Sequence, residues 1–154
     1  MSFPRLVAPL EINGWKIYLH PLIAQQEQQL RHRSLKLEEN LTQKEYKRHE
    51  TVKLFTSLTR SILEFVPANP EDKQYELYEN LHPYKRLKGK GLPDRYRIFF
   101  RLFSDKKTIV FLWLGYPRKD GSKDDCYVVF ARMIAKKEFP SDVESLIAIC
   151  EKVE

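Results

Sequence analysis

The sequence predicts an α+β domain: an antiparallel or mixed sheet of about four strands, two N-terminal helices and further C-terminal helices, with the helices mainly on one face. Three observations carry that expectation. A strand-like alternation and an unbroken apolar run stand back to back between residues 94 and 116. Apolar residues recur at helical spacing through residues 21–65, and Thr42 to Glu45 and Ser141 to Glu144 both have the form of a helix capping box. With 154 residues and 42% hydrophobic content the chain suits one domain, residues 1–154, large enough to bury a core without staples.

Taken in order, Gly14 to His20 alternates Trp15, Ile17 and Leu19 against Lys16, Tyr18 and His20, a first strand. Pro21 suits the first turn of a helix. Along that helix Ile23, Leu30, Leu37 and Leu41 form a narrow stripe that fits a single neighbour. The capping box at Thr42 opens a second helix that buries Phe55, Leu58, Ile62 and Phe65 and closes at Pro67 and Pro70. Residues 69–81 have no clear periodicity and stay unassigned. Tyr84 to Leu87 reads as a short strand, followed by the flexible basic loop Lys88-Gly89-Lys90-Gly91; its glycines lack the Gly-Lys-Ser/Thr ending of a phosphate-binding P-loop.

The segment Asp94 to Tyr116 is the centre of the chain. Tyr96, Ile98, Phe100 and Leu102 fall on one side of a strand, while Arg95, Arg97, Phe99, Arg101 and Phe103 fall on the other. After a polar break at Ser104 to Lys106, Ile109 to Leu114 is apolar throughout, as in a strand covered on both faces. This hairpin is expected to have a dry side and a cationic side. Asp124 or Asp125 then caps a helix burying Tyr127, Phe130 and Ile134, and a last helix carries Val143, Leu146, Ile147 and Cys150.

Charge is unevenly distributed. The formal net charge is +6, yet residues 82–107 alone sum to +7, so the remainder is close to neutral. A concentration of this kind points to a polyanionic partner such as RNA. Cys126 and Cys150 lack disulfide-framework or metal-ligand spacing and read as buried thiols. The start of the chain, through Trp15, has no signal-peptide core, and no apolar run is long enough to span a bilayer, so a soluble cytoplasmic protein is expected.

Histidines 20, 32, 49 and 82 are scattered, with no nucleophile or carboxylate pair beside them, which disfavours a metal site or a catalytic triad. Lysine, arginine and tyrosine are abundant instead. RNA carries its own nucleophile in the 2′-hydroxyl, so an enzyme that orients that group, neutralises the transition state with guanidinium groups and protonates the leaving oxygen needs no metal. Arg95, Arg97, Arg101, Lys88 and Arg118 could supply such a surface. The same residues also suit the wet face of a sheet or an RNA-binding module without catalysis, and Tyr127 shares a helical stripe with Phe130 and Ile134 as a core residue would.

Gly14-Trp15, His20-Pro21, the block Arg95-Tyr96-Arg97-Ile98-Phe99-Phe100-Arg101, Leu114-Gly115-Tyr116 and the run Asp125 to Phe130 together resemble the YhaV-type toxins, a family of RelE-like messenger-RNA interferases from type II toxin–antitoxin systems. The likeness covers nearly the whole chain in order. It implies a RelE-like fold, metal-independent cleavage of messenger RNA, free or on the ribosome, and arrest of translation, with no cofactor. It also implies a PrlF-like antitoxin with an AbrB/MazE-type DNA-binding domain, through which alone operator DNA would be bound.

Carried over residue by residue, Arg86 and Lys88 match the family's basic pair, Arg95, Arg97 and Arg101 its arginine block, and Tyr127 the tyrosine opening its late helix. Arg118 and Lys123 fall where the family is also basic. On this reading Arg97 and Arg118 hold the scissile phosphate, Lys88 or Lys90 transfers a proton, Tyr127 stacks or acts as acid, and Arg86 completes the catalytic group. Lys85, Lys90, Arg95, Arg101, Lys119 and Lys123 bind the rest of the RNA. The chain departs from the family in a longer loop before Arg95 and in Leu114-Gly115-Tyr116, where the family has Leu-Gly-Trp.

Overall fold

The computed structural model describes residues 10–150, and the reading of the first nine residues falls outside that range. Five strands form one mixed sheet in the order β1-β2-β5-β4-β3. These are β1 (Leu10–Ile12), β2 (Trp15–Leu19), β3 (Lys85–Leu87), β4 (Arg97–Phe103) and β5 (Thr108–Gly115). The sequence reading missed β1, a three-residue strand joined to β2 through Asn13 and Gly14, whose φ angles of 54° and 83° suit a two-residue hairpin turn. β2 runs parallel to β5, and every other pairing is antiparallel.

Between β2 and β3 the chain builds α1 (Pro21–Asn40), α2 (Gln43–Arg48), α3 (Glu50–Arg60), a π-helical turn at Ser61–Phe65 and the short α4 (Val66–Ala68). Pro21 sits in the first turn of α1 and the Thr42–Glu45 capping box is formed on both sides. The second helix is not continuous as expected, because His49 interrupts it: its backbone ends α2 and its Nδ1 accepts from the Thr51 amide, capping α3. The unassigned segment contains two single 3₁₀ turns, Lys73–Tyr75 and Glu79–Leu81. α5 (Cys126–Ala135) is capped by Asp125; α6 (Val143–Ile149) is capped by Asp142, one residue later than the capping-box reading placed it. No described helix is long and apolar enough to cross a membrane.

The hairpin of β4 and β5 does not have an open cationic side. Ile98, Phe100, Ile109 and Phe111 face a core built with α1 and α3, while Phe99, Val110 and Leu112 face a second core with Phe130 of α5 and Leu146 of α6. Helices therefore cover both faces, against the expectation of one. The phenylalanine between the arginines explains why: Phe99 is fully buried, stacked 4.2 Å from Phe130 and 5.7 Å from Trp113. The β4–β5 register shifts between Phe99, opposite Trp113, and Phe100, opposite Phe111. That bulge inserts Leu112 and turns both Leu112 and Trp113 toward the second core, which strict alternation forbids.

β2 ends at Leu19, so the upper part of β5 loses its parallel partner. Gln26 of α1 replaces it: its side-chain amide accepts from the Leu114 N–H at 2.9 Å and donates to the Leu114 carbonyl at 2.8 Å. A buried backbone pair is thereby satisfied without another strand, and the end of β5 is held rigid.

His20 turns β2 into α1. Its Nδ1 accepts from the Leu22 amide at 3.1 Å, and its ring packs edge-on against Phe139. Burial holds its pKa below the ordinary 6.5, outweighing a backbone hydrogen bond with Glu138 that acts in the other direction. The folded chain thus prefers neutral His20, so its contribution is complete above pH 6.5 and declines as the pH falls toward the lower folded value. Thermal melts are expected to show this loss below pH 6.5, and His20→Asn, which can still cap α1, is expected to flatten that part of the curve.

Candidate active site

The end of the sheet formed by Arg97 and Gly115 gathers four of the five residues assigned to catalysis. Arg86 on β3 lies opposite Phe99, and Arg97 opens β4 on the same face. α5 brings Tyr127 against them. The Tyr127 hydroxyl accepts from Arg86 Nε at 2.8 Å and from Arg97 Nε at 3.2 Å. The Arg118 guanidinium lies over the Tyr127 ring, 5.0 Å from its centroid.

Each arginine is anchored at its other end. Arg86 donates to the Gln74 carbonyl and Arg97 to the Tyr96 carbonyl, both at 2.8 Å. Gln74 belongs to the segment that had no assignment in the sequence, so an irregular stretch aims one of the site's cations. Arg118 donates to Asp125 Oδ1 at 2.6 Å and lies 3.4 Å from Asp120. Those carboxylates hold its pKa above the ordinary arginine value, the Asp125 hydrogen bond contributing most.

Of the two aspartates expected to cap α5, Asp125 is the one that does, its Oδ2 accepting from the Tyr127 amide at 3.0 Å. It also binds Arg118 and the Lys119 amide. Burial opposes ionisation of this carboxyl, but the Lys119 and Tyr127 amides and the Arg118 guanidinium together bring its pKa below the ordinary value. One carboxylate thus fixes the start of α5 and the guanidinium above it. Its position two residues before Tyr127 and seven after Arg118 was visible in the sequence; the double role was not.

Beside the cluster opens a recess of about 570 Å³ lined by Arg118, Asp120, Ser122, Lys123, Asp125 and Tyr127. Lys119 and Lys123 are exposed on this loop. Lys88 is exposed just past the end of β3, two residues from Arg86. The other basic residues lie apart. Lys90 lines a separate recess with Lys47, Lys53 and Arg60, and Lys85 lines one with Glu71 and Glu76.

The row of three arginines is broken up. Arg95 precedes β4, with φ of 73°, and exchanges a backbone hydrogen bond with Arg118, whose N–H donates to the Arg95 carbonyl at 2.8 Å. Arg101 faces the second core, packed over Tyr84 and Phe103 with Nη1 donating to the Ser141 carbonyl, and burial lowers its pKa. α6 and the approach to it cover this part of the strand, so Arg101 serves packing and is remote from Tyr127. Burial also pushes the Cys126 thiol up to about 11 and the Cys150 thiol up to about 12, which leaves both as inert core thiols.

Gly115 makes the cluster possible. A β-carbon built there would lie 2.8 Å from a Phe99 ring carbon, 2.9 Å from Trp113 and 3.1 Å from the Cys126 β-carbon. Glycine is what lets α5 start directly against β5, opposite Arg97. Cys126 N–H completes the contact by donating to the Pro117 carbonyl at 2.8 Å.

Residues 17–151 match the family model described as a toxin with endonuclease activity, of a toxin–antitoxin system. The chain is 31% identical over 151 residues to the ribonuclease toxin YhaV of Escherichia coli K12, covering 90% of this chain and 93% of that protein. It is 29% identical over 147 residues to the toxin YhaV of Escherichia coli O6:H1, with the same coverage. No solved structure matches it significantly.

Gly115→Ala is expected to push α5 away from β5, destabilising the fold by about 1–3 kcal/mol. Melting and two-dimensional NMR should register both the loss of stability and displaced Tyr127 and Phe130 resonances. A variant as stable as the parent, with unshifted resonances, would contradict the packing role.

Proposed function

The chain belongs to the YhaV family, toxins with endonuclease activity from toxin–antitoxin systems, and we propose that it is an endoribonuclease that cuts messenger RNA by activating the substrate's own 2′-hydroxyl. The observation that carries this reading is the double hydrogen bond on the Tyr127 hydroxyl. A phenol oxygen has two acceptor positions and one proton. Arg86 and Arg97 occupy the acceptor positions, so the proton is left to point toward a third group.

A phosphate seated at the mouth of the recess beside Tyr127, against Arg118 in its wall and Arg97 on the Tyr127 hydroxyl, meets two guanidinium groups fixed before it arrives. Charge that grows on its oxygens in the transition state is therefore met without reorganisation, which is where electrostatic catalysis is strongest. The 2′-oxygen attacks phosphorus, forming a 2′,3′-cyclic phosphate as the bond to the 5′-oxygen breaks. Tyr127 delivers its proton to that leaving oxygen, and Arg86 and Arg97 face the negative charge left on the phenolate. Lys88, two residues from Arg86 in sequence and exposed, takes the proton from the 2′-hydroxyl through its unprotonated amine. Lys119 and Lys123 extend the cationic wall along the RNA backbone.

Membership of a toxin–antitoxin system brings an antitoxin as partner. We take it to be a PrlF-like protein with an AbrB/MazE-type DNA-binding domain, through which the complex reaches its operator. The RelE-like fold relationship and a ribosome-bound substrate belong to the same proposal.

Purified protein incubated with RNA in the presence of chelator is expected to yield 2′,3′-cyclic phosphate and 5′-hydroxyl ends. Arg97→Ala is expected to lower kcat about 10²- to 10³-fold, the usual cost of removing one fixed transition-state donor. Tyr127→Phe keeps the ring under Arg118 and is expected to lower kcat with little change in KM. Translation inhibited while every RNA end stays intact would favour the rival reading, an RNA- or ribosome-binding module that acts by occupancy.

A further inference from the structure

The end of β5 carries a second recess, bounded by α1 and α3, that the proposed cleavage chemistry does not use. It is about 280 Å³ in volume, and its walls include Gln29 and Arg33 of α1, Leu54 of α3, and Tyr96, Trp113 and Tyr116 from the sheet. Tyr96 and Tyr116 stack with ring centroids 4.4 Å apart. The Arg95 guanidinium lies over Tyr116, 5.4 Å from its centroid. Tyr116 is nevertheless 49% exposed, while Phe99, Phe100 and Phe111 within the sheet are fully buried.

Two of these features are hard to explain as packing. A large aromatic half in solvent contributes little to the core and presents a ring for something else to lie on. Gln29 and Arg33, one turn apart and both exposed, bring an amide and a guanidinium to the rim of a hollow whose other walls are Gln26 and aliphatic and aromatic side chains. A phosphate would want the cations and not the stacked rings. A nucleobase wants both, a π-face to stack on and donors and acceptors for its edge.

The recess is also physically continuous with the cleavage cluster. Arg118 N–H donates to the Arg95 carbonyl at 2.8 Å, and Arg95 Nε donates to the Arg118 carbonyl at 3.4 Å. Two adjoining backbone positions thus each set a guanidinium over a tyrosine, Arg118 over Tyr127 and Arg95 over Tyr116. A single-stranded RNA crossing the end of β5 with a phosphate at the first pair lays an adjacent base at the second.

We propose that the recess of Tyr96, Tyr116, Arg95, Gln29 and Arg33 binds the base flanking the scissile phosphate and is where cleavage-site preference is set. This inference rests on the ribonuclease reading above, and its test separates the two. The probe is a 2′-fluoro RNA oligonucleotide, which has no nucleophilic hydroxyl, carrying a single abasic residue moved through each position in turn. Binding to the full chain is followed by fluorescence anisotropy. One abasic position is expected to weaken binding by wild-type protein about tenfold, the loss of one base–aromatic stack. The same substitution should cost Tyr116→Ala nothing further, while Tyr116→Phe, which keeps the ring, behaves as wild type. Arg33→Ala, at an exposed helix position, is expected to redistribute cleavage sites on natural RNA.

Additive losses from base removal and Tyr116→Ala would overturn the subsite, as would the absence of any sensitive position. An acidic or apolar antitoxin segment as the true occupant would give that second result. Cleavage with unchanged site preference in Tyr116→Ala also sinks the subsite and leaves the nuclease intact. Coupled binding losses in a protein that cuts no RNA would sink the nuclease reading and keep the base site.

Discussion

The close approach of α5 to the end of β5 is the constraint on which the site depends. Gly115 has no side chain to hold the helix off, so Cys126 reaches the strand and Tyr127, the next residue, lands between Arg86 and Arg97. The helix that carries the tyrosine also carries Phe130 into the stack with Phe99 and Trp113. Packing in the second core and geometry at the phenol are therefore one problem. A shift of the helix that loosens the aromatic stack also moves the hydroxyl off both guanidinium groups.

Three cations around one neutral hydroxyl repel one another, and the fold must hold them together. It does so unevenly. Arg118 has carboxylates, Asp125 and Asp120, and its charge is largely answered. Arg86 and Arg97 have backbone carbonyls and the phenol oxygen, which orient them without cancelling their charge. The uncompensated positive potential thus sits at the two groups on Tyr127. Such an arrangement favours a polyanion over a neutral ligand before any contact is made.

Sequence periodicity reported much of this architecture. The apolar run of β5, the capping box at Thr42, the cap at Asp125 and the buried stripe of α3 were legible because each depends on residues a few positions apart. Arg86 and Arg97 stand out through the charge concentrated before residue 107, and Arg118 and Tyr127 through the likeness to a toxin family. Strand alternation correctly put Arg97 and Arg101 on one face with Phe99. It could not say that α5 and α6 cover that face, which makes Arg97 part of a cluster and Arg101 a packing residue over Tyr84. The bulge at Leu112 likewise follows from pairing with β4, not from the order of residues in β5.

Local chemistry along the chain determined which segments became helices and strands, where they began, and which stretch held the cations, because those properties rest on neighbours in sequence. Tertiary structure decided what those cations are used for. Arg86 and Tyr127 are 41 residues apart in sequence and 2.8 Å apart in space, and Arg95, before β4, meets Tyr116, after β5. Whether a guanidinium is solvated, packed on a ring or bonded to a phenol is settled by which distant element is brought over it, and that depends on the packing of the whole sheet.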